Sequence, residues 1–380
     1  MGIRFLLFLF ISTSLGALAQ EPLITIEDLY TNGLYSAKGV SGLRSMNDGK
    51  HYTIIKKREK GQFIEKYAYK SGKKIEDIVT PANLSEGKKA ITIADYHFNS
   101  DESQILIESD QEKVYRYSTK GVYYLLDREF GKLRQVNTGG KASHCTFSPN
   151  GDRVAYVFEN NLYHAALKGR EKIQVTRSGK KNEVINGMSD WVYEEEFAFT
   201  KAFEWSPDGK YIAFYEFDES EVKEYDMPMY LGGAYPEHDK FKYPKAGEAN
   251  AKVRILIHNL ESGENRVVDV GPEVDQYIPR IKWTKRPGKL LVERMNRLQN
   301  RLDLMLVNAE DGTSTVFHSE VSETYIDITD NLHFLSNGDD FIWTSEANGF
   351  NHIYLMSLNG KTINPITTGN WDVTSFYGVD

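Results

Sequence analysis

The chain has almost no cysteine. Cys145 is the only one among 380 residues, so no disulfide can form within the chain, and disulfide-rich scaffolds are excluded. It stands between His144 and Thr146 in a strand-like run, and we interpret it as a small buried core residue rather than a nucleophile. The nine histidines are scattered, without an HExxH sequence or paired cysteines. We therefore expect no metal site and no cofactor.

The chain also has fewer basic residues than acidic ones. The 46 lysines and arginines are outnumbered by 54 acidic residues, which gives a formal net charge of −8. An acidic surface argues against nucleic acid or anionic lipid as a partner, because both carry negative charge themselves. The same surface tolerates a cationic ligand.

Long apolar runs are missing except at the amino terminus. Arg4 precedes the apolar run 5–11, and Ala17-Leu18-Ala19 supplies a small-x-small cleavage site. This pattern predicts a signal peptide over residues 1–19, since the run is shorter than the roughly 20 residues that a transmembrane helix needs. We expect an exported protein, periplasmic or secreted, with a mature chain of residues 20–380 and no membrane span after cleavage.

What the chain does contain is aromatic residues and a recurring turn. Tyr and Phe number 23 and 19, a composition that favours strands. The clearest copies of the turn are Phe147–Gly151, before the apolar run 154–157, and Trp205–Gly209, before the apolar run 211–214. In both, Pro presets the turn and Gly supplies a positive φ. Weaker copies lie at Met46–Gly49, Phe98–Asp101, Trp283–Gly288 and Leu335–Gly338.

A second turn follows each first one, at Gly72, Gly131, Gly169, Gly263, Gly312 and Gly360. Two hairpins per unit means four strands, and a period of roughly 50 residues is typical of propeller blades. The sequence thus predicts an all-β protein, a β-propeller of four-stranded blades. About six units are present, and the run 373–376 is predicted to open a further strand. A propeller must close its ring, because otherwise an edge strand and an apolar blade face remain exposed. The sequence stops just after the run 373–376 opens a further unit, so we expect the ring to be incomplete and the chain to be a fragment.

The run Asp190–Phe197 sets three adjacent glutamates among aromatic and β-branched residues. Such neighbours normally bury, whereas Glu is rarely buried unless it is paired. Crowded carboxylates repel one another, so they call for a cation from the protein or from a ligand. The alternative interpretation is a solvated helix face, which is the commoner origin of a charge run.

A propeller that carries Asp-Trp-Val-Tyr-Glu-Glu-Glu, followed within ten residues by Trp-Ser-Pro-Asp-Gly, resembles the amino-terminal domain of dipeptidyl peptidase IV, a serine peptidase of the prolyl oligopeptidase group. The likeness runs from about Ile24 to the end and includes Tyr243–Gly247 and Ile366–Trp371. The resemblance implies eight blades, of which about six are present here.

The resemblance also implies roles for individual residues. Glu195 and Glu196 are expected to bind the substrate's free α-ammonium group, and Arg116 to orient its backbone carbonyl and support the acidic pair. Neighbouring helical positions point about 100° apart, so two of three glutamates can face one cavity while the third, Glu194, makes a structural contact. The alternative for Arg116 is an exposed strand arginine with a local partner such as Glu112.

Between Gly209 and Gly263 the repeat is longer by about thirty residues than a typical blade. This insertion, at about 218–250, resembles an arm that projects from the fourth blade in the family and helps to hold homodimers together. The alternative is an ordinary long surface loop.

The nucleophilic serine of such peptidases sits in a Gly-x-Ser-x-Gly turn, and the chain contains no such pentapeptide. In the family the hydrolase domain follows the propeller, so we expect no catalytic residue here. The resemblance implies the substrate-recognition propeller of an exported serine-type dipeptidyl peptidase, which removes Xaa-Pro or Xaa-Ala from the free amino end of peptides. The alternative is a stand-alone periplasmic propeller that binds a protein or peptide without enzymatic activity.

Overall fold

The computed structural model describes residues 23–37, 39, 42–87, 89–169 and 171–379. The predicted signal peptide, residues 1–19, lies outside them. Across the described ranges, no helix has the length and apolar character needed to cross a membrane. A single turn of π-helix, Glu27–Thr31, precedes the first strand.

Six antiparallel sheets of four or five strands follow one another along the described part of the chain. The first contains β1 (Arg44–Ser45), β2 (His51–Arg58), β3 (Gly61–Ala68) and β4 (Lys74–Val79); a short hairpin of β5 (Ser85–Glu86) and β6 (Lys89–Ala90) leads out of it. The second contains β7 (Asp95–Phe98), β8 (Gln104–Lys113), β9 (Thr119–Asp127) and β10 (Lys132–Gln135). The third contains β11 (Ser143–Phe147), β12 (Arg153–Phe158), β13 (Asn161–Ala166) and β14 (Lys172–Gln174).

The fourth sheet has five strands and encloses both a helix and an extra hairpin. In chain order these are β15 (Val184–Asn186), α1 (Trp191–Glu196), β16 (Phe203–Trp205), β17 (Tyr211–Asp218), the separate hairpin β18 (Glu224–Met229) and β19 (Glu237–Lys242), then β20 (Lys252–Asn259) and β21 (Asn265–Val267). The fifth sheet contains β22 (Gln276–Trp283), β23 (Lys289–Asn296), β24 (Arg301–Asn308) and β25 (Ser314–Val321). The sixth contains β26 (His333–Phe334), β27 (Asp340–Ser345), β28 (His352–Ser357) and β29 (Thr362–Pro365).

This architecture confirms the predicted β-propeller with its six repeating units. Every predicted first turn joins two consecutive strands of one sheet, and every predicted second turn joins the last two strands of its sheet. Gly151 and Gly209 have φ of +67° and +69°, as the first turn requires. Turns of successive sheets also touch, because the Asn150 side-chain amide donates to the Asp208 carbonyl at 3.1 Å. The repeated motif therefore packs one sheet against the next.

The hydrophobic core lies between successive sheets. The largest cluster of buried side chains runs from the third sheet to the sixth, and two smaller clusters join the first three sheets. Cys145 belongs to one of these clusters and is buried, and burial raises the pKa of its thiol. The interpretation of Cys145 as a core residue is confirmed.

One predicted strand is wrong. Residues 373–376 form no strand, although the Val373 N–H donates to the Asn351 carbonyl at 2.8 Å. A strand is defined by a ladder of hydrogen bonds to a neighbour, and among the described residues no such neighbour lies beside this segment. A strand-like composition alone does not supply that partner.

Candidate functional site

The acidic motif lies where the first strand of the fourth sheet is interrupted. Strands β15 and β16 both pair with β17, the former opposite residues 216–218 and the latter opposite residues 212–214. The intervening excursion, residues 187–202, leaves the sheet and carries α1. The interruption of this strand therefore places the three glutamates outside the regular sheet of the blade.

Asp190 starts the helix. Its backbone is extended, and its Oδ1 accepts a hydrogen bond from the Tyr193 N–H at 2.9 Å, the geometry of an N-cap. Asp190 is buried, and this burial raises the pKa of its carboxyl to about 7. The helix therefore begins on an acid that is taken out of water.

The fifth sheet fixes the other sides of α1. The Tyr193 hydroxyl accepts a hydrogen bond from the Ile278 N–H at 2.9 Å. This N–H is free to bond because β22 and β23 shift register between Tyr277 and Arg280. Nη1 of Arg280 donates to the Phe197 carbonyl at 2.8 Å, so a cation sits at the carboxyl end of the helix, where the helix dipole favours it.

Glu194 is completely buried, with 0% of its surface exposed. Its Oε1 accepts hydrogen bonds from the backbone N–H groups of Tyr117 and Ser118 at 2.6 and 3.0 Å. These residues belong to the connection between β8 and β9 in the second sheet. Glu194 therefore makes the structural contact expected of it, and it holds the loop that carries Arg116 against α1.

Arg116 and Glu195 meet as a result. Nε of Arg116 donates to Oε1 of Glu195 at 2.9 Å, with 66% of the arginine side chain but only 15% of the glutamate side chain exposed. This hydrogen bond raises the pKa of Arg116. The alternative partner, Glu112, instead pairs with Lys120 and Lys141.

Glu196 is not part of this contact. It is exposed at the end of α1, and its carboxylate has no hydrogen-bond or ion-pair partner within the described part of the chain. The structure thus brings two of the three predicted site residues together and leaves the third with its acceptors open to solvent. One paired and one unpaired carboxylate beside an exposed guanidinium give a site with a net charge of −1, suited to a small cation that carries hydrogen-bond donors.

The contribution of the insertion to the site was not predicted from the sequence. The insertion is the hairpin of β18 and β19, and its aromatic side chains reach both halves of the site. Tyr243 packs on Trp191 at the start of α1, with ring centroids 4.0 Å apart, and Phe241 packs on Tyr115, next to Arg116, at 5.9 Å. The aromatic residues between 225 and 243 were the signal available in the sequence.

The burial of another acid, Glu219, was also not predicted. Glu219 follows β17 directly and is buried, and burial raises the pKa of its carboxyl to about 7, with a further contribution from the charge of Asp190. No cluster of His, Cys, Asp or Glu suited to a metal ion occurs among the residues that the structure describes. Two acids of α1 have defined partners: Glu194 binds the loop of Arg116, and Glu195 binds the Arg116 cation.

Comparison with known proteins agrees with this picture. Residues 99–380 match the family model described as the dipeptidyl peptidase IV N-terminal region. The chain is 32% identical over 299 residues to a probable dipeptidyl-aminopeptidase B of Uncinocarpus reesii, covering 71% of this chain and 32% of that protein. It is 31% identical over 324 residues to a probable dipeptidyl peptidase 4 of Trichophyton verrucosum, covering 80% and 43%.

Among solved structures, dipeptidyl peptidase 4 of Porphyromonas gingivalis superposes with a TM-score of 0.86 and 36% identity, over 95% of this chain and 51% of that one. The chain thus spans about half or less of the length of these relatives. The resemblance predicted from the acidic motif and the repeat is confirmed: the chain belongs to the dipeptidyl peptidase IV N-terminal region family.

Proposed function

We propose that this chain is the substrate-recognition propeller of an exported, serine-type dipeptidyl peptidase that removes Xaa-Pro or Xaa-Ala from the amino end of peptides. The observation that carries the proposal is the contact between Arg116 and Glu195, with the unpaired carboxylate of Glu196 next in sequence. The relatives named dipeptidyl peptidases support the reaction class.

The chemistry of a free amino terminus suits these groups. An α-ammonium group has three donors, and Glu195 and Glu196 offer acceptors for them. Charge-assisted hydrogen bonds of this kind are worth roughly 1.5–3 kcal/mol each. The guanidinium of Arg116 donates only its Nε–H to Glu195, so its other N–H groups can donate to a substrate carbonyl.

Selectivity for free amino ends follows from the same arrangement. A peptide blocked by an acetyl group cannot donate to both carboxylates and would leave them without the cation they attract. Fixing the first residue of the peptide also fixes which bond lies two residues further along. In our proposal the nucleophile that cleaves this bond belongs to a part of the protein outside these 380 residues, because no Gly-x-Ser-x-Gly sequence occurs within them.

Peptide binding by the 380-residue chain tests the proposal. A fluorescent peptide beginning Gly-Pro and its N-acetylated twin are titrated and followed by anisotropy. We expect at least tenfold tighter binding of the free amine, and loss of that preference in Glu195→Gln and Glu196→Gln. Glu112→Gln is the matched control, since that carboxylate is paired elsewhere. Equal affinity for the two peptides in the unaltered protein would favour a stand-alone binding module and contradict the proposal.

We further propose that the hairpin of β18 and β19 contributes to a homodimer. Large apolar side chains of this hairpin are exposed: Met227, Met229, Tyr230, Leu231 and Tyr235. Light scattering of the unaltered chain and of Tyr230→Ser/Leu231→Ser separates the outcomes. A dimeric mass that falls to that of a monomer in the variant supports the proposal, and an unchanged mass removes it.

A further inference from the structure

A cavity of about 340 Å³ lies between the fourth and fifth sheets, beside the segment that leads into the sixth. Its buried lining is mostly apolar and includes Phe203, Tyr215, Ile281 and Leu332. The volume is at the lower end of the range for small-molecule sites, about 300–1,000 Å³.

Of the three acids that line the cavity, only Glu293 is buried. Glu293 of β23 is 1% exposed and lies opposite Arg280 of β22 in the sheet register. Its Oε2 has no hydrogen-bond partner within the described residues. Burial raises the pKa of this carboxyl to about 8. A buried carboxyl oxygen without a donor is costly, and a ligand that supplies the donor would offset that cost.

The charges nearer the surface mostly cancel in pairs. Lys201 lies 3.2 Å from Glu204, and Nε of Arg280 lies 2.6 Å from Asp330. All four residues line the cavity. Because each is engaged with an opposite charge, neither pair provides a strong attraction for a charged ligand.

Lys282 is the cation left over. It also lines the cavity, is exposed, and donates only to the Leu332 carbonyl, so two of its three N–H donors are unused by the described residues. The cavity therefore presents one unpaired acid at its base and one under-used ammonium group nearer the surface. A complementary ligand would place an ammonium group at the base of the cavity, against the acid, and a carboxylate nearer the surface, against the lysine.

We infer that this cavity binds a small zwitterion, an α-amino acid or a dipeptide, with its ammonium group on Glu293 and its carboxylate facing Lys282. Phe203 and Tyr215 would pack against the part of the ligand between the two charged groups. The inference rests on the cavity alone. A dipeptide released by the proposed peptidase is one member of the class, so the site could take up the product.

Three probes test the inference by calorimetric titration: Gly-Pro, N-acetyl-Gly-Pro, which lacks the ammonium group, and Gly-Pro-amide, which lacks the carboxylate. The titrations use the Glu195→Gln/Glu196→Gln protein, so that the carboxylates of α1 cannot hold the probe. We expect Gly-Pro to bind and each derivative to bind at least tenfold more weakly. Adding Glu293→Gln should weaken Gly-Pro binding at least tenfold.

Lys282→Met provides a second, independent variant, because that side chain is exposed and its removal leaves the buried lining intact. It should weaken the binding of Gly-Pro at least fivefold and leave the binding of Gly-Pro-amide unchanged. Equal affinity for the three probes, or Gly-Pro binding that survives both substitutions, would overturn the inference. Absence of Gly-Pro binding to the Glu195→Gln/Glu196→Gln protein would overturn it too, without bearing on the role of α1.

Discussion

Arg116 and Glu195 are 79 residues apart in sequence and lie on different sheets, yet Nε of one donates to Oε1 of the other at 2.9 Å. Their own attraction cannot account for this meeting, since an exposed ion pair is worth about 0–1 kcal/mol. Glu194 brings them together, because it is buried on the helix and binds the backbone of the arginine loop. The fold therefore positions Arg116 and Glu195 next to each other, and both side chains can also bind a ligand.

A double-mutant cycle on Arg116→Met and Glu195→Gln tests this view. Each change should leave the free energy of unfolding almost unchanged, because 66% of the arginine side chain is exposed. Each should nevertheless weaken binding of a free-amine peptide about tenfold, a loss of about 1.4 kcal/mol. Urea denaturation and anisotropy titrations measure the two effects. A large loss of stability with intact binding would show that the pair is structural.

Glu194→Gln should lower both stability and peptide binding, whereas Glu196→Gln should lower binding alone. The buried Glu194 carboxylate accepts two backbone N–H groups, so its replacement by an amide should cost about 1–3 kcal/mol of unfolding free energy. Peptide binding should fall as well, since the Arg116 loop loses its anchor. Glu196→Gln, an exposed change, should alter stability by less than about 0.5 kcal/mol and affect binding only. Equal stability of the two variants would contradict this assignment.

The sequence sufficed for features that depend on local chemistry. The Ser-Pro-Asn-Gly turn ending at Gly151 and its counterpart at Gly209 predicted the strand pairs that the structure contains, because a turn's shape is set by its own residues. Crowding of the three glutamates correctly indicated that a cation was needed. The choice of Arg116 among 46 basic residues came from family resemblance and could not come from charge alone.

Features that depend on distant segments escaped prediction. The bond from the Ile278 N–H to the Tyr193 hydroxyl needs a register shift in another sheet, and no local pattern encodes that shift. Glu293 follows three apolar residues in β23, but only the packing of neighbouring sheets shows that its Oε2 lacks a donor. Residues 373–376 have a strand-like pattern and form no strand, because pairing requires a neighbour as well.

Tyr193→Phe isolates the attachment of α1 to the fifth sheet. The ring remains, but the Ile278 N–H loses its acceptor in a buried place, which should cost about 1–3 kcal/mol of unfolding free energy. Tyr230→Phe is the control, since that hydroxyl is on an exposed side chain of the hairpin. If chemical denaturation gives the same stability for both variants, the hydrogen bond contributes nothing to holding α1.

Tyr243→Ala tests whether the hairpin supports the site. The tilted ring contact between Tyr243 and Trp191 should be worth about 0.5–1.5 kcal/mol, so its loss should weaken binding of a free-amine peptide roughly fivefold. Tyr243→Phe should restore binding, because the ring alone makes the contact. Tyr230→Ala, on the same hairpin, should leave affinity unchanged, and an equal loss in that variant would point to a general effect of the hairpin.

Asp190 should make stability depend on pH. Burial raises the pKa of its carboxyl to about 7, whereas in the unfolded chain the pKa returns to about 4. Between these values the native state holds a proton that the unfolded state has released, so the free energy of unfolding falls as pH rises from about 4 to about 7. Above about pH 7 both states are ionised, and this contribution stops changing.

Asp190→Asn removes this titration and keeps an N-cap oxygen for the Tyr193 N–H. Between pH 5 and 7 the variant should therefore lose less unfolding free energy than the unaltered protein, by about 1–2 kcal/mol, given a limit of 1.36 kcal/mol per pH unit for one proton. Glu219→Gln should act in the same direction, because burial raises the pKa of Glu219 as well. Urea denaturation at the two pH values measures the difference. Identical pH dependence in all three proteins would mean that Asp190 is already ionised at pH 5, and that its hydrogen bond to α1 outweighs the cost of its burial.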